Sequence, residues 1–354
     1  MKMFNEYIVD SKALINNVKN IKTQLNNNVK FCAVVKANGY GIGLETISNI
    51  INDYVDIFAV ACLKEAVALR NVNANCEILI LGMVDVIDFE YCSKNNFTIS
   101  ITNYEQLAHI KDCNLKFHLQ VNTGLNRFGF KSVASFNNAL KFIDKHKLNL
   151  QGVYSHFATK ANDIKFMNKQ LIKFYQFKRL VKKENVIFHI ANSFATISNK
   201  NMQFDMVRNG FLLYGGVGDS IGNNCILTIK SRLINVFEIR KGESVGYDRT
   251  FISNKKMKIG VVSLGYADGF DRRLSNNFYV LINGYKCNVI GNVCMDVFMV
   301  DLSECNCCMG DEVIILGKQG KQKITLNDYA KALNTSPYEV LLKFNYRRMN
   351  YIVN

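Results

Sequence analysis

"VKFCAVVKANGYGIG", residues 29–43, carries a β-prone apolar stretch into Lys36 and then into a turn punctuated by Gly39, Gly41 and Gly43. The pattern reads as a short buried strand that surfaces on a charge, with flexible backbone behind it. The same kind of run recurs along the chain: 56–61, 77–82, 97–102, 116–121, 150–156, 186–191 and 204–215. Helix-patterned stretches such as "DSKALINNVKNIKTQL", "LKEAVALR", "YEQLAHI" and "MNKQLIKFYQFKRLVK" separate the runs. Strands alternating with helices predict parallel pairing, and eight of them predict a closed (β/α)₈ barrel.

Such a barrel places its chemistry at the C-terminal ends of its strands. Lys36 follows the first run, Asn122 to Arg127 follow the fifth, and His156 ends the sixth. Asn192 and Ser193 follow the seventh, while Arg208 and Gly210 lie in the eighth. Beyond residue 220 the texture changes to strand-like stretches with glycine and asparagine punctuation, closing on the helix-patterned "LNDYAKALN" and "SPYEVLLKF". The expected organisation is a barrel over 1–220 and a β-rich domain over 221–354, with residues 1–10 packing on the second domain. The segment 216–224, "GVGDSIGNN", has linker composition.

Bulk properties narrow the function classes. The net charge is +15, but the lysines are scattered and accompany no zinc-finger, helix-turn-helix or RNA-binding signature. A solvated basic surface is the reading, with no nucleic-acid partner. No apolar run reaches the ~18–20 residues of a membrane span. The amino terminus lacks the apolar core of a signal peptide, so a cytoplasmic, non-membrane protein is expected. The 11 cysteines are dispersed, and the one cluster, Cys305, Cys307 and Cys308, lacks a second pair at zinc spacing. No metal site is expected.

A lysine at a strand end can form a Schiff base, and barrel loops near strands seven and eight commonly hold a phosphate. Together they suggest pyridoxal phosphate, although a Schiff-base aldolase uses the same two parts.

Ordered motifs take the reading further: "AVVKANGYG" (33–41), "NTGLNRFGF" (122–130), "SHFA" (155–158), "HIANS" (189–193), "DMVRNGFLLYG" (205–215), "VGYDRT" (245–250), "GYADGF" (265–270), "GNVCMDVFMVD" (291–301), "GDEVIILG" (310–317) and "PYE" (337–339). Across nearly its whole length the chain resembles the alanine racemases. The resemblance implies a pyridoxal-phosphate-dependent amino-acid racemase that interconverts L- and D-alanine by a two-base mechanism for peptidoglycan precursors. A serine or broader racemase of the same fold is the alternative, and a non-catalytic cofactor-binding barrel protein a more remote one.

Carried over by position, Lys36 would hold the cofactor, and Tyr247 would be the second base, reaching it from the other subunit of a homodimer. Arg208 would face the pyridine nitrogen, with His156 hydrogen-bonding near it. An acidic group at that place would instead suggest a decarboxylase or a transaminase. Arg127 would contact the phenolic oxygen and the substrate carboxylate, and Met295 would help hold that carboxylate through its backbone. Tyr40, Ser193, the backbone of Gly210 and Phe211, and Tyr338 would bind the phosphate, with Asn192 beside them. His189 is assigned to the core.

The chain also departs from the pattern. Gly39 stands for the usual alanine, Ile42 for a histidine, Gln120 for a lysine that can be carbamylated, Asn122 for an aspartate and Asn209 for a proline. These differences predict a looser turn after Lys36, a different support for Arg127 and a looser phosphate segment.

Overall fold

β-Branched and aromatic residues buried on both faces are what a central parallel strand requires. In the computed structural model, which describes residues 4–73, 75–159, 163–216 and 219–354, each of the eight runs contains a strand. A preceding short strand, β1 (Glu6–Val9), belongs elsewhere. The runs become β2 (Lys30–Val34), β3 (Ile57–Val60), β4 (Ile78–Ile80), β5 (Phe97–Ile101), β6 (Lys116–Gln120), β7 (Leu150–Tyr154), β8 (Ile187–His189) and β9 (Met206–Asn209). They pair in parallel in the order β8-β7-β6-β5-β4-β3-β2-β9. Backbone N–H groups of Asp205 and Arg208 donate to the carbonyls of Phe188 and Ala191 and close the ring between β8 and β9. Phe31, Phe58, Phe97 and Phe117 are fully buried in this body, each contributing roughly 1.5–3 kcal/mol of burial.

The helices outside the barrel follow the periodicity of their sequences. Helix Val133–Lys145 buries Phe136, Ala139, Leu140 and Ile143, one face at helical spacing. The Ser132 hydroxyl caps it by accepting from Ser135 N–H. No helix among the described residues is long and apolar enough to cross a membrane.

The β-rich body contains β10 (Leu227–Ile239), β11 (Ser244–Val245), β12 (Phe251–Ile252), β13 (Met257–Val262), β14 (Tyr279–Ile282), β15 (Tyr285–Ile290), β16 (Phe298–Asp301), β17 (Glu312–Gln319), β18 (Gln322–Ile324) and β19 (Asn350–Val353). Antiparallel pairings run β10–β17–β14–β15–β16–β13–β10, so these strands close on themselves and leave no free edge within the ring. β1 pairs antiparallel with β10 and parallel with β19, joining both chain ends to this sheet. One compact unit therefore takes the chain through Leu14 together with Tyr214–Gly216 and Asn224–Asn354; Ile15–Leu213 forms the core of the other. Of the linker segment 216–224, residues 217 and 218 lie outside the described residues, as do residues 1–3.

Candidate active site

At the C-terminal rim of the barrel the backbone turns sharply. Lys36 lies two residues beyond the end of β2, and Ala37, Asn38 and Gly39 follow with φ of 53°, 55° and 61°, a left-handed turn. Such a conformation costs about 1–2 kcal/mol for each residue with a side chain, so it needs external ties. The Asn38 carboxamide accepts from Leu44 N–H at 3.0 Å. Glu65 accepts from Asn38 N–H at 3.3 Å and from Ala61 N–H at 2.8 Å, clamping the turn to the next strand end. Gly39 occupies a left-handed position that glycine adopts without penalty, and Ile42 is fully buried. At these two positions the chain therefore avoids strain and fills the core. The half-buried Lys36 amine has its pKa lowered, first by burial and then by the Arg127 charge.

The turn carries Tyr40 against β9. Its phenol lies so close to Gly210 that a Cβ there would sit 2.2 Å from Tyr40 Oη. The absent side chain at Gly210 is what lets the phenol come this close to the backbone. Ser193, buried beside it, accepts from Leu212 N–H through its hydroxyl at 3.4 Å, and Phe211 is buried. Asn192 directs its carboxamide to Ala195 N–H at 3.1 Å and starts the short helix Ser193–Ser198.

Arg208 is buried in the barrel. Its guanidinium donates to Ser155 O at 2.7 Å, to His156 Nδ1 at 3.2 Å and to His189 Nδ1 at 2.5 Å. The Tyr154 ring lies 5.2 Å from it. Among the described residues no carboxylate pairs with Arg208. Burial, followed by the charges of Arg208, Arg127 and Lys36, holds the His156 imidazole down at about 3. His189 is fully buried, as its assignment to the core has it, and its ring is hydrogen-bonded. Behind it, His189 Nε2 lies 2.8 Å from His118 Nδ1. Burial lowers both imidazoles, His118 to about 3 and His189 well below the ordinary range.

The loop carrying Arg127 is organised by Asn122, whose Oδ1 accepts from Gly124 N–H at 3.0 Å and Asn126 N–H at 3.2 Å. Arg127 itself is exposed and lies near the Phe128 ring. Gln120 Oε1 accepts from the Tyr154 phenol at 3.0 Å, so this side chain is tied to Tyr154. Asn209 stays in the ladder opposite Ala33, so the backbone there is a regular strand, but its side chain is fully buried with neither polar atom hydrogen-bonded.

The remaining candidates lie in the β-rich body. Tyr247 follows Gly246 (φ 73°), and Asn292 Nδ2 donates to its carbonyl and to Asp248 Oδ2, both at 3.0 Å. Its side chain is 69% exposed. It borders a cavity of about 620 Å³ walled by apolar residues including Ile239, Val245, Ile259, Val261 and Met299. Met295 lines the same cavity, and its carbonyl accepts from Ala267 N–H at 3.0 Å. Gly265 allows that approach, since a Cβ there would sit 2.2 Å from Met295 O. Tyr338 lies in the first turn of helix Pro337–Lys343, and burial pushes its phenol up to about 12.

The rim thus presents a depressed lysine amine, a glycine–tyrosine–serine cradle and a buried arginine with neutral partners. Residues 9–217 match the family described as "Alanine racemase, N-terminal domain", and residues 226–352 match "Alanine racemase, C-terminal domain". The chain belongs to the alanine racemase family. The alanine racemase of Streptococcus equi subsp. zooepidemicus is 34% identical over 345 residues, 94% of each chain. The crystal structure of alanine racemase from E. faecalis superposes with a TM-score of 0.94 at 31% identity, covering 99% of this chain and 98% of the other. That of alanine racemase from Bartonella henselae, described with covalently bound pyridoxal phosphate, has a TM-score of 0.90 at 24% identity and covers 99% of each, a likeness of fold. The alanine racemase assignment makes the chain an isomerase with alanine as its substrate. Among the residues sequence reasoning missed, Glu65 has no local signature. His118 had one: with Gln120 it forms a polar pair at alternate positions of β6, the spacing of side chains that share the barrel interior.

Proposed function

We propose that this alanine racemase binds pyridoxal phosphate at the barrel rim and moves protons on opposite faces of the substrate Cα with Lys36 and Tyr247. The residues present fit that cofactor. Lys36, Arg127 and Arg208 are cationic with no carboxylate paired to either arginine among the described residues, which favours an anionic ligand. The open backbone at Gly210 beside the Tyr40 phenol and the Ser193 hydroxyl suits a phosphate. The close approach of the Tyr40 phenol to the Gly210 backbone, which a Cβ would block, is the observation that carries the reading.

When bound, the cofactor's ring delocalises the electron pair left at Cα, lowering the acidity barrier that a free amino acid presents. Lys36 holds it through its amine and accepts or returns the proton on one face. Its lowered pKa raises the share of neutral amine near neutral pH, which a general base needs. Tyr247 of the partner subunit serves the opposite face. Its exposure over an apolar cavity supports a position completed by a second copy of the chain. Arg208 keeps a fixed cation toward the ring nitrogen, because a guanidinium hardly ever loses its proton. Arg127 and the backbone at Met295 orient the substrate carboxylate. Tyr40, Ser193, the backbone of Gly210 and Phe211, and Tyr338 hold the phosphate, with Asn192 fixing the Ser193 turn and His156 steadying Arg208. The protein acts in the cytoplasm and supplies D-alanine for peptidoglycan.

The test is D-product formation from a panel of L-amino acids including alanine and serine, by cofactor-loaded protein alongside Lys36→Ala and Tyr247→Phe. Alanine is expected to be the best substrate, with both variants inactive in racemisation. A wild type that racemises nothing on the panel would end this reading, and full activity in Tyr247→Phe would remove the second base.

A further inference from the structure

The hydrogen bonds behind Arg208 admit only one distribution of protons. A guanidinium donates and never accepts, so His189 Nδ1, at 2.5 Å from Arg208, presents a lone pair. A neutral imidazole carries one N–H, which then sits on His189 Nε2. That atom lies 2.8 Å from His118 Nδ1, which must therefore accept, leaving the His118 proton on Nε2. A reversed bond would leave His189 with two lone pairs and no proton, an imidazolate.

We propose that His189 and His118 are positioning residues: a one-way chain of two Nε2–H imidazoles, headed by Arg208, that fixes the guanidinium from inside the barrel while leaving its charge undiminished. The proposal rests on the reading of Arg208 as the group facing the cofactor ring. Packing holds the chain in place. Tyr154 stacks on His189 with centroids 5.0 Å apart and planes 7° from parallel, and its phenol is tied to Ser100 and Gln120. His118 meets His189 edge-on at 64°. Gly152, paired with His118 across β6 and β7, makes room for that ring, since a Cβ there would sit 2.8 Å from its Cε1 and Nδ1.

The choice of acceptors has a chemical consequence. A carboxylate behind Arg208 would neutralise its charge at short range, whereas imidazole orients the donor and adds no counter-charge. Ser155 O and His156 are neutral acceptors as well, so the cation is offered whole to whatever lies at the rim. Burial and the Arg208 charge also lower both imidazoles, in keeping with neutral rings at these distances.

The holoenzyme labelled with ¹⁵N-histidine tests the proton positions directly, because imidazole nitrogen shifts distinguish the two tautomers. At pH 7 both His118 and His189 are expected to be neutral and protonated on Nε2. A proton on Nδ1 of either ring, or a doubly protonated ring, would overturn the proposal. Two variants test the positioning role: Asn keeps an acceptor near the place of Nδ1, and Leu removes it. His118→Leu should lower kcat for alanine roughly 10-fold or more, leave KM nearly unchanged and shift the cofactor absorbance band, while His118→Asn should recover most of the loss. Wild-type kcat and spectrum in His118→Leu would also overturn it. If His118→Leu does not fold, the wild-type tautomers decide. Wild-type protein that is inactive toward every amino acid would count against the functional reading, and the tautomer result would stand apart from it.

Discussion

Arg208 is a buried cation surrounded by acceptors without charge, and that arrangement makes acid stability a readout of the site. His118, His156 and His189 are all held neutral in the folded chain, with folded pKa values below the ordinary 6.5. The unfolded chain then binds more protons at pH values between the two, so stability falls as pH drops from about 6.5 toward 3. Near pH 5, before carboxylates dominate, unfolding should take up nearly three protons from these groups, against about half that number at pH 6.5. The slope of stability against pH in denaturant titrations checks this, and a flat profile would refute it. Lys36 carries a second expectation. Because its pKa lies below that of an ordinary lysine, the Lys36 amine of the cofactor-free chain should react with an amine-modifying reagent at lower pH than the exposed lysines, and labelling across pH checks this. Lys36, Arg127, His156 and Ser193 were legible as candidates because each falls at or beyond the end of an apolar run and inside an ordered motif, and Arg208 because it interrupts such a run. His189 was not, since a histidine in such a run looks the same whether it packs or orients an arginine. Only the pairing register, which sets Tyr154 between Gln120 and His189, reveals the shared interior face.

Among the elements, the turn after β2 and the end of β9 carry opposite stability arguments. Gly39 has φ of 61°, and a Cβ there would lie 3.3 Å from Ile47 Cγ1. Gly39→Ala should therefore lower stability by about 1 kcal/mol, read as a fall in Tm. In β9 the Asn209 side chain is fully buried with both polar atoms unpaired. Replacing it with valine, a good strand former, should raise stability by about 1–3 kcal/mol, visible as a higher denaturant midpoint with unchanged slope. A lower midpoint would mean that the carboxamide has a partner in solution. The eight barrel strands were readable because parallel strands need continuous apolar runs. β1 and β19 were not, each being a four-residue strand whose partner lies at the far end of the chain. The left-handed turn escaped too: sequence shows glycines, but the backbone sign at Ala37 and Asn38 depends on the clamp from Glu65.

For the whole molecule, the sequence conveyed a β-rich second body, and only the strand pairings show that it closes into an antiparallel ring. Closure depends on which strands meet across long separations, and β10 pairing with both β13 and β17 has no local signal. The same body exposes Tyr247 over an apolar cavity, and under the proposed function the site is complete only when two copies associate. Activity per chain should then fall on dilution below the dimer dissociation constant, in step with the dimer fraction measured by sedimentation. The central claim, two bases from two subunits, is tested most directly by complementation. Lys36→Ala and Tyr247→Phe chains carrying different tags are co-expressed, and the mixed dimer is purified through both. Neither parent should racemise alanine, whereas the mixed dimer holds one intact site and should show about half the wild-type rate per dimer. A mixed dimer as inactive as its parents would contradict the account.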